Sequence, residues 1–250
     1  MREDAWLPWR TVPQAPAAEP SLGVFETVLV AGGRPLEWAR HAERLGGSCR
    51  ALYGVAPPGD LGVRVARLAA GAGGRARLRV LARPPAQGGL TVELELTALP
   101  PPAGEPPRLA PVGVPRGFGA HKLVDRAWLE RIEAASAPGA RALLVDPAGA
   151  VLETTRANVF ALAGGVLLTP PLDGSILPGV TRAVLLEAAR ALGVPAREAP
   201  VALATLRAAD AVLLTGSLRL VEARMLAGGK DAAALDPEPP APGGPGAENG

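Results

Sequence analysis

Cysteine, histidine and lysine are scarce in this sequence. The single cysteine, Cys49, excludes an internal disulfide framework and a cysteine-cluster metal site, and we expect it to be a small core residue. The two histidines, His41 and His121, argue against a histidine-rich metal site. All but two of the 26 basic residues are arginines, the exceptions being Lys122 and Lys230. We therefore expect no bound metal, and each lysine needs an explanation.

The sequence also has few aromatic residues, a small net charge and no long apolar run. Aromatic side chains make up 3% of the chain, the net charge is only +2 and the arginines are scattered, which excludes a stacking platform for nucleic acid. No run of 18 apolar residues is present to cross a membrane, and the N-terminus, MREDAWLPWR, has no apolar core of a secretory signal. We expect a cytoplasmic protein without nucleic-acid or membrane partners.

The composition of the chain divides it into regions. With 250 residues, 48% of them hydrophobic, it is long enough for one large domain or two small ones. The predicted regions are a poorly ordered or degenerate N-terminal segment (1–20), a small α+β domain (21–107), a larger α/β domain (108–229) and a disordered tail rich in proline, glycine and alanine (230–250). The proline-rich run PPPAGEPP at 100–107 is the predicted linker between the two domains.

Hydrophobic periodicity predicts both helices and strands in each domain. For the small domain it predicts a strand, Gly-Gly turn and strand in GVFETVLVAGGRPL, helices over 37–53 and 60–70, and the strands ARLRVLAR and LTVELELTAL. For the larger domain it predicts helix AWLERIEAA, two hairpins (RALLVD with AVLE, and NVFALA with VLLT), a helix over 179–192, a short helix ATLRAAD and the strand AVLLTG. The resulting fold class is α+β.

Lys122 lies between the two predicted domains, in GFGAHKLVDR. One interpretation is an ordinary surface lysine, which we assume for Lys230 in the tail. The other is an amine nucleophile, because lysine forms Schiff bases when its pKa is depressed. The residue alone does not decide between the two interpretations.

The segment PPLDGSILPGVTR (170–182) opens a helix at Pro178 and Gly179. The first amides of a helix have no partner within it, and together with the helix dipole they favour a phosphate. The alternative is plain helix capping, since the dipole contributes only about 0.3–1 kcal/mol at an exposed site and a phosphate would also require a guanidinium. The TGS turn at 215–217 is a further source of hydroxyl and amide donors.

Glu153 stands at the end of a short apolar strand, in LETTRANVF. Its spacing fits an exposed hairpin carboxylate and a buried acid that awaits a cationic partner equally well. Taken together, one amine, one phosphate cradle and one acid for a ring nitrogen are the groups that pyridoxal 5′-phosphate needs.

The chain resembles the class IV, or fold type IV, pyridoxal-phosphate enzymes, which include branched-chain and D-amino-acid aminotransferases and aminodeoxychorismate lyases. The segments that carry the resemblance lie in order between residues 21 and 226: GVFETVLV with GGRPLEWARHAERL, HKLVDR, LETTRANVFALAGGVLLTPPLDGSILPGVTR and LLTGSLRLV. The resemblance implies a two-domain α+β fold with the cofactor at the domain interface, a small-molecule amine substrate and a homodimer.

The resemblance also implies a role for individual residues. Lys122 is similar to the Schiff-base lysine, Glu153 to the acid that pairs with the pyridinium nitrogen, and Arg44 to the arginine that binds the phosphate. The further residues with implied roles are Val180, Thr181 and Ser217 at the phosphate, Arg83 at a substrate carboxylate, and Thr27 as a catalytic residue.

The reaction is harder to assign than the family. Thr27 in FET, the segment TTRANVF and the compact length look most like an aminodeoxychorismate lyase, whereas branched-chain enzymes have a glycine where Thr27 stands. The lyase would release pyruvate and 4-aminobenzoate for folate synthesis, and the alternative is a transaminase of branched-chain or D-amino acids. The chain departs from the family pattern before FET, where PAAEPSLG replaces the usual strand and GDG sequence, so a relative that retains the fold without the cofactor is a third hypothesis.

Overall fold

The structure is a computed structural model that describes residues 10–12, 19–84, 89–101 and 105–225. The elements before residue 100 are β1 (Arg10–Thr11), β2 (Val24–Ala31), β3 (Arg34–Pro35), α1 (Trp38–Tyr53), α2 (Leu61–Ala70), β4 (Ala76–Arg83) and β5 (Thr91–Ala98). Those after it are β6 (Arg108–Gly113), α3 (Ala127–Ala134), β7 (Ala140–Val145), β8 (Ala150–Thr154), β9 (Asn158–Ala163), β10 (Val166–Thr169), α4 (Val180–Ala191), β11 (Ala196–Glu198), β12 (Val201–Ala202), α5 (Leu203–Arg207), β13 (Ala211–Gly216) and β14 (Arg219–Met225). The α+β class is confirmed.

A four-stranded antiparallel sheet in the order β3–β2–β4–β5 forms the first core. Alternate residues of its strands pack against α1 and α2, as the period of two along a strand requires. The most deeply buried members of this core, each no more than 1% exposed, include Val28, Val30, Leu45, Cys49, Val65, Leu78 and Val80. Cys49 is therefore the small core residue that we expected.

The other face of this sheet is more exposed to solvent at β5, as the alternation of apolar and polar residues in LTVELELTAL predicts. The side chains of Glu93 and Glu95 are 56% and 60% exposed and pair with arginines of β4. This face also carries Phe25 and Thr27 of β2 and Arg79 of β4, which belong to the candidate site.

The second sheet curls until it closes on itself. Its order runs β9–β13–β14–β6–β7–β8, and β8 also pairs with β9 through Glu153 and Asn158. Closure leaves these strands without free edges and surrounds a core of aliphatic side chains, including Leu109, Leu143 and Leu214. Helix α4 lies outside the ring, where Leu185 and Leu186 pack against Phe160. The closing pair contains one of the predicted site residues, Glu153.

Five strands were not predicted: β1, β6, β11, β12 and β14. β6 pairs in parallel with β7 and, at its other edge, with β14 and β1, although it contains Pro111. β11 is a short parallel partner of β10. β1 lies within the N-terminal segment predicted to be poorly ordered or degenerate, and its residues Arg10 and Thr11 pair with Val112 and Gly113.

Parts of the predicted organisation are not described by the structure. Residues 1–9 and 13–18 of the N-terminal segment and the tail predicted over 230–250 lie outside the described residues. The domain boundaries at 107/108 and 229/230 stay predictions. Within the described ranges, no helix is both long and apolar enough to cross a membrane.

Candidate active site

Lys122 belongs to the segment between β6 and α3, and this segment attaches to the beginning of β2. The amide of Phe25 donates to the Lys122 carbonyl at 2.9 Å, and the Val124 amide donates to the Gly23 carbonyl at 2.9 Å. Gly23 has φ +107°, and a Cβ there would lie 2.6 Å from the Ala82 carbonyl oxygen, so only glycine fits this approach. The backbone of Lys122 is thereby tied to the first sheet.

The side chain of Lys122 lies beside the ring of Phe25, among other cations. Its Nζ is 5.0 Å from the ring centroid, and the guanidinium carbons of Arg79 and Arg126 are 4.4 and 5.9 Å from it. Such distances correspond to cation–π contacts. Thr27 is two residues after Phe25 on the same face of β2, directly opposite Arg79 of β4. Three positive groups therefore converge on one aromatic ring.

Burial lowers the pKa of Lys122 to about 8, because removal of water disfavours the ammonium form. The positive charges of Arg44, Arg126 and Arg79 act in the same direction, whereas the carboxylate of Glu26 opposes them. About a tenth of this amine is consequently unprotonated at pH 7. This is the property that the nucleophile interpretation requires, and a solvated lysine lacks it.

Glu153 is buried, with 5% of its surface exposed. The amide of Leu177 lies 3.3 Å from both carboxyl oxygens, and Nδ2 of Asn158 lies 3.2 Å from Oε2. Burial raises the pKa of Glu153 to about 8 despite these donors and the positive charges of Arg126 and Arg44. Of the two possibilities for this residue, the buried acid is the one observed, and its contacts are amides rather than a salt bridge.

Arg44 of α1 forms a fork-to-fork ion pair with Glu26 of β2. Arg44 Nε donates to Glu26 Oε1 and Nη2 donates to Oε2, both at 2.7 Å, while His41 Nδ1 lies 2.8 Å from Oε2. Burial opposes ionisation of Glu26, but the hydrogen bonds from His41 and Arg44 and the charges of Arg44 and Lys122 outweigh it and lower its pKa to about 2. Glu26 is therefore an anion, and sequence analysis did not identify it.

The same guanidinium reaches the beginning of α4. Arg44 Nη1 donates to the Pro178 carbonyl at 2.7 Å, two residues before Val180, which is the first residue of the helix. Gly179, the residue preceding the helix, provides no side-chain cap. The guanidinium that a phosphate site would require thus lies next to an uncapped helix N-terminus formed by Val180 and Thr181.

The TGS turn is connected to these residues through the second sheet. Thr215 pairs with Asn158, which pairs with Glu153, so the three polar residues form one row across β8, β9 and β13. The Thr215 hydroxyl is buried and has no hydrogen-bond partner among the described residues. Ser217 follows in the turn, and the neighbouring Leu218 carbonyl accepts a hydrogen bond from Arg75 at 3.2 Å. The buried acid Glu153 is one end of this row, and the predicted phosphate ligand Ser217 lies two residues after Thr215 at the other end.

The described contacts connect most of the predicted site residues but leave Arg83 apart. Lys122 contacts Phe25. Glu26, the residue after Phe25, binds Arg44, and Arg44 reaches the segment before Val180 and Thr181.

Arg83 instead pairs with Glu93 at 3.2 Å and donates to the Leu22 carbonyl at 3.3 Å, and its side chain is 45% exposed. None of these contacts reaches Lys122, and the arginine of β4 that lies near it is Arg79.

Sequence analysis missed Glu26, Arg79 and Arg126. A signal for Glu26 was present, because it interrupts the valines on the core-facing side of β2, and a charge at such a position calls for a partner. Arg79 and Arg126 had no comparable signal, since arginine supplies nearly all the positive charge of this chain.

Comparison with known proteins identifies the family and the fold of the chain. The model of the amino-transferase class IV family matches residues 23–223. Branched-chain-amino-acid aminotransferase 6 of Arabidopsis thaliana is 37% identical over 94 residues, which cover 37% of this chain and 26% of that protein. The chain matches only about a quarter to a third of the length of the first curated relatives, between 24% and 31%.

Solved structures resemble the chain over nearly its whole length. The 4-amino-4-deoxychorismate lyase of Pseudomonas aeruginosa has a TM-score of 0.66 and 26% identity, with 85% of this chain and 87% of that chain covered. A hypothetical aminotransferase of Mycobacterium tuberculosis in its PLP-bound form has a TM-score of 0.70 and 22% identity, with 90% and 87% covered. The predicted fold type IV is confirmed.

Proposed function

Since this chain belongs to the class IV aminotransferases, a family of enzymes that use pyridoxal 5′-phosphate, we propose that it is a 4-amino-4-deoxychorismate lyase that forms 4-aminobenzoate and pyruvate. The observation that carries the proposal is the juxtaposition of Thr27 with Arg79, on the sheet face where Phe25 meets Lys122. A homodimer and a cytoplasmic location remain predictions.

The donor set suits the cofactor. An anionic group at the beginning of α4 would meet the unpaired amides of the helix and the guanidinium of Arg44, and the buried, unpartnered hydroxyl of Thr215 lies in the same polar row as Glu153. Lys122 would hold the cofactor covalently, Glu153 its ring nitrogen, and Arg44, Val180, Thr181 and Ser217 its phosphate. When bound, the cofactor supplies an electron-withdrawing ring that makes a proton on the substrate's amine-bearing carbon acidic.

Lys122 then acts as a base. With a substrate in the site, the free Nζ of Lys122 would remove the proton from the amine-bearing carbon, because a lysine with a pKa of about 8 is partly neutral at physiological pH. Glu153, whose pKa is about 8 through burial, keeps a proton available at the position of the ring nitrogen. Loss of that carbon's proton and of the enolpyruvyl group makes the substrate ring aromatic.

Arg79 and Arg126 suit the charge of this substrate. 4-Amino-4-deoxychorismate has two carboxylates, and neither guanidinium forms a salt bridge with a carboxylate in the described part of the chain. Arg126 donates to the Thr155 carbonyl at 2.7 Å, but two cations without a carboxylate partner among the described residues, beside a hydrophobic ring, favour an anionic, unsaturated ligand. We assign the carboxylate-binding role expected of Arg83 to Arg79, and to the Thr27 hydroxyl the transfer of a proton to the departing enolpyruvyl group.

A branched-chain or D-amino-acid transaminase is the second candidate. The curated relatives that match a third of the chain are branched-chain aminotransferases. Such an enzyme would use the same lysine, acid and phosphate ligands and would differ in the pocket around Phe25.

The two candidates are separated by incubating the cofactor-loaded enzyme with 4-amino-4-deoxychorismate, and separately with amino acids and a keto acid. We expect 4-aminobenzoate and pyruvate in equal amounts without a keto acid. Thr27→Val should slow their release by about 10²-fold or more, as loss of a positioned proton donor does. Thr97→Val changes an exposed threonine of β5 and serves as the control. Keto-acid-dependent loss of the amino group without pyruvate release would favour the transaminase and reject the lyase.

A further inference from the structure

The carboxylate of Glu26 occupies a core position. Val24, Glu26, Val28 and Val30 alternate along one face of β2, and each is no more than 1% exposed. Burial of an ion without a partner costs several kcal/mol, so a carboxylate among valines must be compensated. The partners of the Glu26 carboxylate therefore indicate its role.

The partners of Glu26 come from one face of α1. His41 and Arg44 are three residues apart, the spacing that places two helical side chains side by side. His41 contacts only Oε2, at 2.8 Å, whereas Arg44 contacts both oxygens at 2.7 Å. A planar guanidinium facing a planar carboxylate has one orientation, which a single hydrogen bond would not impose.

In this orientation, some N–H groups of the Arg44 guanidinium are not engaged by Glu26 or Pro178. A guanidinium has five N–H groups. Nε and one N–H of Nη2 bind Glu26, and one N–H of Nη1 binds the Pro178 carbonyl at 2.7 Å. The remaining N–H groups, one on each Nη, are available to an anion beside the uncapped N-terminus of α4.

We propose that Glu26 is a positioning residue that fixes the guanidinium of Arg44 for an anionic group at the N-terminus of α4. The inference rests on the proposed role of Arg44 as a phosphate ligand. It specifies that Glu26 acts through Arg44 on the phosphate end of the cofactor; the charge of Glu26 also reaches Lys122, but that effect is common to ligands with and without a phosphate. A buried ion pair that only stabilised the fold would affect every ligand of the protein equally.

The test compares two ligands that differ only in the phosphate. The affinity of the cofactor-free protein for pyridoxal 5′-phosphate and for pyridoxal is measured by absorbance titration in wild type, Glu26→Gln, Arg44→Lys and the double variant. We expect Glu26→Gln to weaken pyridoxal 5′-phosphate binding by about 10- to 100-fold, the effect of one charge-assisted contact. Pyridoxal binding should change less than about threefold, and Glu26→Gln should have no further effect in the Arg44→Lys background.

Equal losses for both ligands, an unchanged affinity for pyridoxal 5′-phosphate, or additive effects of the two substitutions would each overturn the inference. If Glu26→Gln does not fold, as judged by circular dichroism, His41→Asn loosens the same carboxylate and should give the same phosphate-selective loss at smaller size; a loss that is not selective would again overturn it. An unchanged affinity in Arg44→Lys would remove the assignment on which the inference rests. Absence of lyase turnover would reject the proposed reaction without changing these affinities.

Discussion

Phe25 and Lys122 are joined through both backbone and side chain. The Phe25 amide donates to the Lys122 carbonyl at 2.9 Å, and the Lys122 Nζ lies 5.0 Å from the Phe25 ring centroid. The two residues are far apart in sequence and belong to regions that we predicted as separate domains. Their contact places the candidate nucleophile against the sheet face that carries Thr27 and Arg79.

The first prediction concerns the identity of the cofactor-binding amine. The chain has only two lysines, so Lys230→Ala is a matched control for Lys122→Ala. We expect the Lys122 variant to lose the visible absorption band that the bound cofactor gives, and the Lys230 variant to retain it. Borohydride reduction followed by peptide mass analysis of wild type should place the modification on Lys122. A band that survives in Lys122→Ala would refute this assignment.

The second prediction concerns pH. Burial lowers the pKa of Lys122 to about 8 from an ordinary value of 10.5, and only the neutral amine attacks an aldehyde. The rate at which the cofactor-free protein captures pyridoxal 5′-phosphate should therefore rise with pH and level off above about 8. Stopped-flow absorbance from pH 6 to pH 10 measures this rate. A rate that still rises tenfold per unit between pH 9 and pH 10 would indicate an unperturbed lysine.

The third prediction concerns Glu153. Burial raises its pKa from 4.5 to about 8, so the folded protein holds a proton that the unfolded chain releases. The resulting stability is fully present below pH 4.5 and is lost as pH rises through about 8. Glu153→Gln mimics the protonated acid, so its free energy of unfolding should not show this decline, as denaturant titrations of the cofactor-free proteins at pH 5, 7 and 9 would measure.

The same substitution should lower turnover. Glutamine has no carboxyl proton to share with a ring nitrogen, and we expect Glu153→Gln to lower turnover by about 10²-fold or more. The affinity for pyridoxal 5′-phosphate should fall much less, because the phosphate ligands and Lys122 are intact. Turnover equal to that of wild type would contradict the ring-nitrogen role.

The fourth prediction concerns the approach of α4 to the buried acid. A Cβ at Gly179 would lie 1.9 Å from Oδ1 of Asn158, whose Nδ2 binds Glu153 and the Leu177 carbonyl. Gly179→Ala must displace this side chain, and we expect a loss of about 1–3 kcal/mol in the free energy of unfolding together with weaker cofactor binding.

Gly47→Ala is the matched control for this substitution. Gly47 lies within α1, and a Cβ added there would have open space around it, with no atom of a neighbouring described residue within 4 Å. The replacement should stabilise the helix by up to about 1 kcal/mol, since alanine is the better helix former. Thermal melts of both variants would show opposite shifts, and equal shifts would contradict the packing argument at Gly179.

Local sequence patterns were sufficient for most secondary structure. The helix expected over 179–192 is observed as Val180–Ala191, and LTVELELTAL forms β5 with its glutamates exposed. These elements follow from the spacing of apolar residues a few positions apart. β6 escaped prediction because Pro111 interrupts its pattern and because its burial depends on parallel neighbours that the local sequence does not contain.

Burial and charge at the site depend on residues far apart in the chain. Whether Glu153 is an exposed or a buried acid depends on Leu177, whose amide reaches it from the segment before α4. Glu26 is charged because Arg44 and His41 approach it from α1, and Arg44 is oriented by Glu26 on one side and by Pro178 on the other. Periodicity along the chain is enough to specify a helix or a strand, whereas the ionisation of a buried group depends on everything packed around it, and that environment exists only once the chain has folded.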